Sequence, residues 1–123
     1  MHPRLRIVTR LMGAGFALQG AGFLVMPERA ATSLGMPLLD GLGRSTQIGD
    51  FAAFFLILGL SILAGSIPGR GRLLYFPAAL LASAAAGRLI AWAVHGAAFA
   101  AMFILVEIIA GLLLVVMARR AEM

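Results

Sequence analysis

The chain has 123 residues, of which 62% are hydrophobic and 12% are charged, and its mean hydropathy is +1.01. Because a water-soluble domain carries about 25% charged residues, this composition excludes an ordinary soluble globule and indicates an integral membrane protein. The net charge of +5 arises from ten arginines and five acidic residues, and the arginines stand mostly at the ends of apolar runs. That placement is typical of membrane topology signals, so we expect no nucleic-acid partner.

The length allows one small membrane domain. Four spans of roughly 20 residues each would use about 80 residues, so we expect a single four-span domain over residues 1–123. The sequence has no cysteine, which excludes disulfides and thiolate metal sites. The two histidines, His2 and His95, lie far apart in the chain and form no pair at ligand spacing. We therefore expect no metal ion and no cofactor.

The first predicted span covers about residues 5–26 and begins among three arginines. A basic segment before an apolar run also occurs in cleavable signal peptides, but those end at small residues that the protease recognises. Here Pro27, Glu28 and Arg29 follow the run, and charged side chains stand where small ones are needed. We therefore predict a retained membrane helix.

This first span contains a seven-residue repeat, in which residues 13–16 and residues 20–23 both read Gly-Ala-Gly-Phe. Small residues two helical turns apart fall on one face and let another helix approach closely. A glycine-rich phosphate loop is excluded, because no strand precedes the repeat and Leu18 occupies the position of its last glycine. The repeat therefore predicts close helix packing.

Residues 27–45 form the longest predicted connection, and two interpretations fit it. Pro27 suits the start of a helix, Glu28 its first turn and Gly35 its end. These residues are consistent with a short interfacial helix. An ordinary linker fits them equally well.

Three further spans follow this connection. The second is predicted at about 46–67 and is stopped by the sequence Pro-Gly-Arg-Gly-Arg at 68–72. Residues 73–118 are too many for one crossing and suit two, with a turn at His95 and Gly96. The third and fourth spans are therefore predicted at about 73–95 and 98–118, which makes the fold class an all-α, antiparallel four-helix membrane bundle.

The arginines also predict the orientation. Seven of them lie in the N-terminal segment, the 68–72 turn and the C-terminal segment, whereas the other two connections hold only Arg29 and Arg44. Loops rich in arginine stay in the cytoplasm. We therefore expect both termini and the 68–72 turn to be cytoplasmic, and residues 27–45 to face outward.

Three charged residues fall inside predicted spans: Asp50, Arg88 and Glu107. Each costs about 2.5–3.5 kcal/mol at the centre of a membrane helix, so such residues face the bundle interior, pair with one another or reach water. Arg88 and Glu107 lie nearly symmetrically about the turn between the last two spans, so they stand at similar depth and can form a salt bridge. Such a pair serves either as a structural fastener or as part of a functional site.

Other polar residues fall in the same outer half of the membrane. Gln19 lies on the first span and Asp50 on the second, whereas Arg88, Trp92 and His95 share one face of the third. These residues, with Glu107, predict a small polar cavity that opens outward. At its turn position, His95 taken alone is better explained as an interfacial residue than as a ligand.

The C-terminal half resembles a known family. Gly-Arg-Leu-Ile at 87–90, Gly96 at the turn and Val-Glu-Ile-Ile at 106–109 are similar to the pattern of the DUF4345-type family of small four-span bacterial membrane proteins. Weaker likeness extends upstream to Pro27 and to Gly49-Asp50. The resemblance implies a four-span fold in a bacterial cytoplasmic membrane and draws attention to Arg88 and Glu107. It implies no activity.

Three functions are compatible with these residues. The first is a non-enzymatic membrane protein whose outward cavity binds a small anionic ligand or a lipid headgroup, or seats a partner protein. The second is a small oligomeric transporter in which Glu107 exchanges protons with substrate, although the almost wholly apolar inner half lacks the polar access that transporters need. The third is a lipid-modifying enzyme that uses Asp50 and Glu107, for which no catalytic arrangement is identifiable. Expected partners are membrane lipids, a second copy of the chain or another membrane protein.

Overall fold

The computed structural model describes residues 3–122, which form helices and loops without strands. Four long helices are present: α1 (Pro3–Val25), α3 (Gly41–Gly65), α4 (Tyr75–Val94) and α5 (Ala101–Ala121). A short helix, α2 (Pro27–Ser33), follows α1, and a single 3-10 turn (Gly71–Leu74) leads directly into α4. Within the described residues, four helical segments are long and apolar enough to cross a membrane. The prediction of an all-α bundle with four spans is confirmed, and the fold indicates a multi-pass membrane protein.

The clearest difference from the predicted boundaries is at α3, which begins at Gly41 rather than near residue 46. The first turns are polar and contain glycine, so they resemble a loop in sequence. Two contacts of Arg44 link the start of α3 to the residues just before it. Arg44 forms an ion pair with Asp40 at 3.1 Å, and its Nε donates to the Leu39 carbonyl. Phe23, near the end of α1, stacks on Phe51 of α3. The turns of α3 that precede Phe51 therefore extend past the end of α1.

The segment after α1 is helical, as one of the two interpretations predicted. Pro27 occupies the first turn of α2, where its missing N–H costs nothing, and Gly35 ends the segment with a φ of +80°. The loop that follows is fixed to α3 by the buried side chain of Gln47. Its Oε1 accepts from the Leu39 N–H at 2.9 Å, and its Nε2 donates to the Pro37 carbonyl at 3.0 Å.

The long helices form two antiparallel hairpins, α1 with α3 and α4 with α5. In the first hairpin, a Cβ atom added to Gly20 would lie 2.6 Å from the Leu56 nitrogen, and one added to Gly59 would overlap the Ala17 backbone. Phe23 stacks on Phe51, with 5.4 Å between ring centroids. The glycine repeat therefore does what its spacing predicts, through Gly13 and Gly20, which are buried against α3.

The two hairpins meet at one end of the molecule. There Thr9 of α1 is fully buried, and its Oγ1 lies 2.7 Å from the sulfur of Met117 in α5. Fully buried leucine and isoleucine side chains fill the space between the hairpins at this level: Leu58, Ile62, Leu74 and Leu114. We call this the basic end, because it contains Arg4, Arg6, Arg10, Arg70, Arg72, Arg119 and Arg120. The opposite end, with α2 and residues 95–100, is called the α2 end.

Candidate functional site

A cleft of about 590 Å³ separates the two hairpins toward the α2 end. One wall comes from α1 and α3, the other from α4 and α5, and the end of α2 lies against the opening. Most of the lining is apolar: Leu11, Met12, Phe16, Leu34, Phe54, Phe55, Leu58, Leu81, Met102, Phe103 and Val106. Its polar side chains are Gln19, Ser33, Arg88 and Glu107. The cavity is therefore mainly apolar with a few polar groups, rather than the small polar cavity that we expected.

Arg88 and Glu107 form an ion pair in this cleft. The Nε of Arg88 donates to Oε1 of Glu107 at 2.9 Å, and the guanidinium carbon lies 4.6 Å from the centre of the Phe103 ring. The two residues face each other across the α4–α5 hairpin, because each lies six residues from the end of its helix that adjoins the connecting loop. The prediction that Arg88 and Glu107 lie at similar depth, made from their distances to the connecting turn, therefore identified both partners of the ion pair.

The ion pair retains hydrogen-bonding capacity. Among the described residues, the contact through Nε is the only hydrogen bond of Arg88, so its two Nη groups are available as donors, and Oε2 of Glu107 has no partner. Neither group is sealed from the cleft, since the side chains of Arg88 and Glu107 are 32% and 12% exposed. The site therefore presents adjacent donors and an acceptor while its formal charges cancel.

Gln19 lines the same cleft from α1, six residues from the end of that helix. Its Nε2 donates to Ser33 Oγ at 2.9 Å and lies 3.4 Å from the Ala30 carbonyl. These bonds fix the end of α2 beside the cleft. Sequence reasoning missed Ser33, and the signal that could have found it is the short helix of residues 27–33, which folds back over α1.

Asp50 does not reach this cleft. It is exposed and lines a separate groove of about 420 Å³ with Met36, Leu39 and Gln47. At 3.6 residues per turn, Asp50 lies about 110° around α3 from the centre of the buried face formed by Phe55, Leu58 and Ile62. It is adjacent to Phe51, which stacks on Phe23 near the end of α1. Asp50 therefore lies level with the end of the first span, where the membrane surface would be.

Trp92 and His95 also lie outside the cleft. Trp92 is 51% exposed and contacts Phe99 in the following loop, at 5.0 Å between ring centroids. His95 is exposed and ends α4 as its C-cap residue, next to Gly96 with a φ of +68°. Trp92 and His95 lie on nearly the same side of α4 as Arg88, but about 6 Å and 10 Å further along the helix toward the loop. A shared helical face therefore did not bring all three residues to one site.

The described residues contain no group of three or more His, Cys, Asp or Glu side chains that could hold a metal ion. His2 lies outside the described residues.

Comparison of the chain with protein-family models, with curated proteins and with solved structures found no match. The similarity to the DUF4345-type family stays a prediction.

Proposed function

We propose that this membrane protein binds a single amphiphilic molecule, such as a membrane lipid, with its apolar part in the cleft and its polar head at Arg88, Glu107 and Gln19. The observation that supports the proposal most directly is the composition of the cleft wall, in which one level of polar groups interrupts an otherwise apolar lining. Sites that bind such ligands combine an apolar lining with a few placed polar groups.

The cleft is accessible from the side of the bundle. At residues that border it, Leu11 and Met102 are about 70% exposed, and α1 and α5 make few contacts with each other beyond the Thr9–Met117 contact. In a bilayer, this gap between α1 and α5 would open toward the acyl chains. A lipid could then enter sideways without crossing the polar surface.

The state of the ion pair favours a head with no net charge. Glu107 already neutralises Arg88, so an anionic head would face a charge that is compensated, whereas a zwitterionic or uncharged polar head could use the Nη donors and the Oε2 acceptor together. We therefore propose a zwitterionic or neutral polar head.

Two observations favour binding over the alternatives. Proton-coupled transport would need a polar route past the cleft, but Ile62 and Leu114, both fully buried, lie between the hairpins beyond it. A lipid-modifying enzyme would need Asp50 and Glu107 to act on one substrate, but these residues line different cavities.

For the location, we propose a bacterial cytoplasmic membrane with both termini in the cytoplasm. The seven arginines of the basic end support this orientation, since cytoplasmic loops are enriched in arginine. The α2 end and the mouth of the cleft would then face outward.

The test is a lipid titration of the purified protein in non-ionic detergent, followed by its thermal stability. Monoacylglycerol, an amphiphile with an uncharged polar head and no phosphate, should raise the melting temperature in a saturable way, because a ligand that binds only the folded state stabilises it by mass action. Gly15 borders the cleft, and a Cβ atom added there meets nothing within 4 Å. Gly15→Leu should therefore fill the cleft and abolish the effect.

Gly87→Leu is the matched control, because Gly87 is an exposed helical glycine with the same open surroundings and lies outside the cleft. It should respond to lipid as the parent does. A response to monoacylglycerol that survives Gly15→Leu would contradict binding in the cleft. A response to phosphatidylglycerol that exceeds the response to monoacylglycerol, and that Gly15→Leu abolishes, would contradict the net-neutral head.

A further inference from the structure

A further cavity, of about 230 Å³ and separate from the cleft and from the groove at Asp50, lies at the basic end. Three segments that are distant in sequence enclose it: the start of α1, the turn after α3 and the end of α5. Gly71 contacts Ala121 so closely that an added Cβ atom would overlap that side chain, and one added to Gly65 would overlap Leu74. The walls are therefore closely packed against one another.

Two arginines line this cavity, and within residues 3–122 only one of them has a counterion. Arg72 forms an ion pair with Glu122 at 3.6 Å, and the other oxygen of Glu122 lies 3.5 Å from the Tyr75 hydroxyl. Arg6 has no ion pair among residues 3–122, and its Nε is buried without a hydrogen-bond partner. A buried donor on a charged group is costly when it has no acceptor.

The surroundings add positive charge. Arg10 donates through Nε to Ser66, which also lines the cavity, and Arg70 lies in the adjacent turn. Of the acidic residues in the described chain, Glu122 alone lines the cavity. An anion with several acceptor oxygens would supply what Arg6 lacks, and arginine binds phosphate oxygens with more than one N–H at a time.

We propose that this cavity binds a phosphate group through Arg6 and Arg72. The proposal does not depend on the function assigned to the cleft, which lies toward the other end of the molecule. The phosphate of a phospholipid at the end of α1 and a free phosphate anion share this chemistry, and the experiment distinguishes these two sources.

The test measures binding to the purified protein in non-ionic detergent, with Gly15→Leu as the background so that the cleft does not contribute. Two probes are titrated separately: phosphatidylglycerol in mixed micelles, and inorganic phosphate. Saturable binding of the lipid alone identifies a lipid phosphodiester, and saturable binding of both identifies a site for phosphate itself. Either result supports the proposal, and saturable binding of neither probe would overturn it.

Three variants in this background connect the binding to the cavity. Arg6→Gln should weaken it about tenfold, through the loss of a charge-assisted contact. Arg29→Gln is the matched control, since it removes the same charge from the exposed first turn of α2, and it should leave binding unchanged. Glu122→Gln should strengthen binding, because it removes the carboxylate that competes for Arg72.

A general electrostatic attraction would give a different pattern. Arg6→Gln and Arg29→Gln would then weaken binding equally, which would overturn the proposal. Weaker binding in Glu122→Gln would also overturn it, because Glu122 would then support the ligand rather than compete with it. The opposite effects expected for Arg6→Gln and Glu122→Gln are not explained by loss of stability, which would lower binding in both variants.

Discussion

At the residue scale, the ion pair between Arg88 and Glu107 is the main polar interaction within the membrane-spanning part of the described chain. Its Nε–Oε1 distance of 2.9 Å and the Phe103 ring beside the guanidinium account for how two charges are accommodated among apolar helices. Breaking such a pair by removing one partner leaves the other charge in a poorly solvated site. The pair therefore fixes the α4–α5 hairpin whether or not a ligand also uses it.

We expect Arg88→Ala and Glu107→Ala each to lower the free energy of unfolding by about 1–3 kcal/mol, less than for a dry pair because the side chains reach the cleft. The double variant should cost less than the sum of the two. The measurement is a double-mutant cycle of unfolding in detergent, and additive effects would show that the two side chains do not interact.

Asp40 and Arg44 supply a control pair on the same molecule. They form a similar contact at 3.1 Å, but their side chains are 98% and 48% exposed. Exposed pairs of this kind contribute about 0.3–0.5 kcal/mol. A cycle on this pair should therefore give a much smaller coupling energy than the cycle on Arg88 and Glu107.

At the element scale, the close contact between α1 and α3 depends on glycines, which have no side chain, at the positions where the two backbones meet: Gly13, Gly20 and Gly59. A Cβ atom on Gly59 would overlap the Ala17 backbone, which cannot move as the end of a side chain can. The two helices would have to separate, and the phenylalanine stack of Phe23, Phe51 and Phe55 would separate with them.

Gly59→Ala should therefore destabilise the protein by about 1–3 kcal/mol, the usual cost of an overpacked core. Gly49→Ala is the control on the same helix, because nothing lies within 4 Å of its added Cβ atom. Replacing that exposed helical glycine should be neutral or stabilise the protein by up to about 1 kcal/mol. Thermal unfolding of both variants in detergent provides the comparison, and similar losses in the two would contradict close packing at Gly59.

At the scale of the whole molecule, the hairpins meet at the basic end and separate toward the α2 end. The seven arginines of the basic end therefore lie at a different level along the bundle from the cleft. The orientation of the protein in the membrane decides which aqueous phase the cleft approaches. The absence of cysteine from the sequence makes that orientation measurable with single introduced thiols.

We expect a cysteine at Thr32 to react with a membrane-impermeant thiol reagent in intact cells, because Thr32 is exposed on α2. A cysteine at Arg70, exposed in the turn of the basic end, should react only after permeabilisation. The reverse pattern would place the mouth of the cleft on the cytoplasmic side. The parent chain, without thiols, is the background control.

The sequence by itself determined the elements and one contact of the site. Four apolar runs predicted four spans because the bilayer sets a minimum helix length, and the spacing of Gly13 and Gly20 predicted a close helix contact because helical periodicity places them on one face. Arg88 and Glu107 could be matched in depth because a tight turn connects their helices. Each of these inferences uses distances along a single helix or hairpin.

The tertiary structure alone decided how the two hairpins are arranged. The cleft that forms between them does not include Asp50, Trp92 or His95, and Arg6 and Arg72 line one cavity at the basic end. The fold of α2 back over α1 brings Ser33 beside Gln19. In a lipid environment a helix can be apolar all round, so the sequence carries little information about which face meets a neighbour. The rotation of each helix is set by the contacts that small residues and polar groups make once the hairpins come together, and those contacts are long-range.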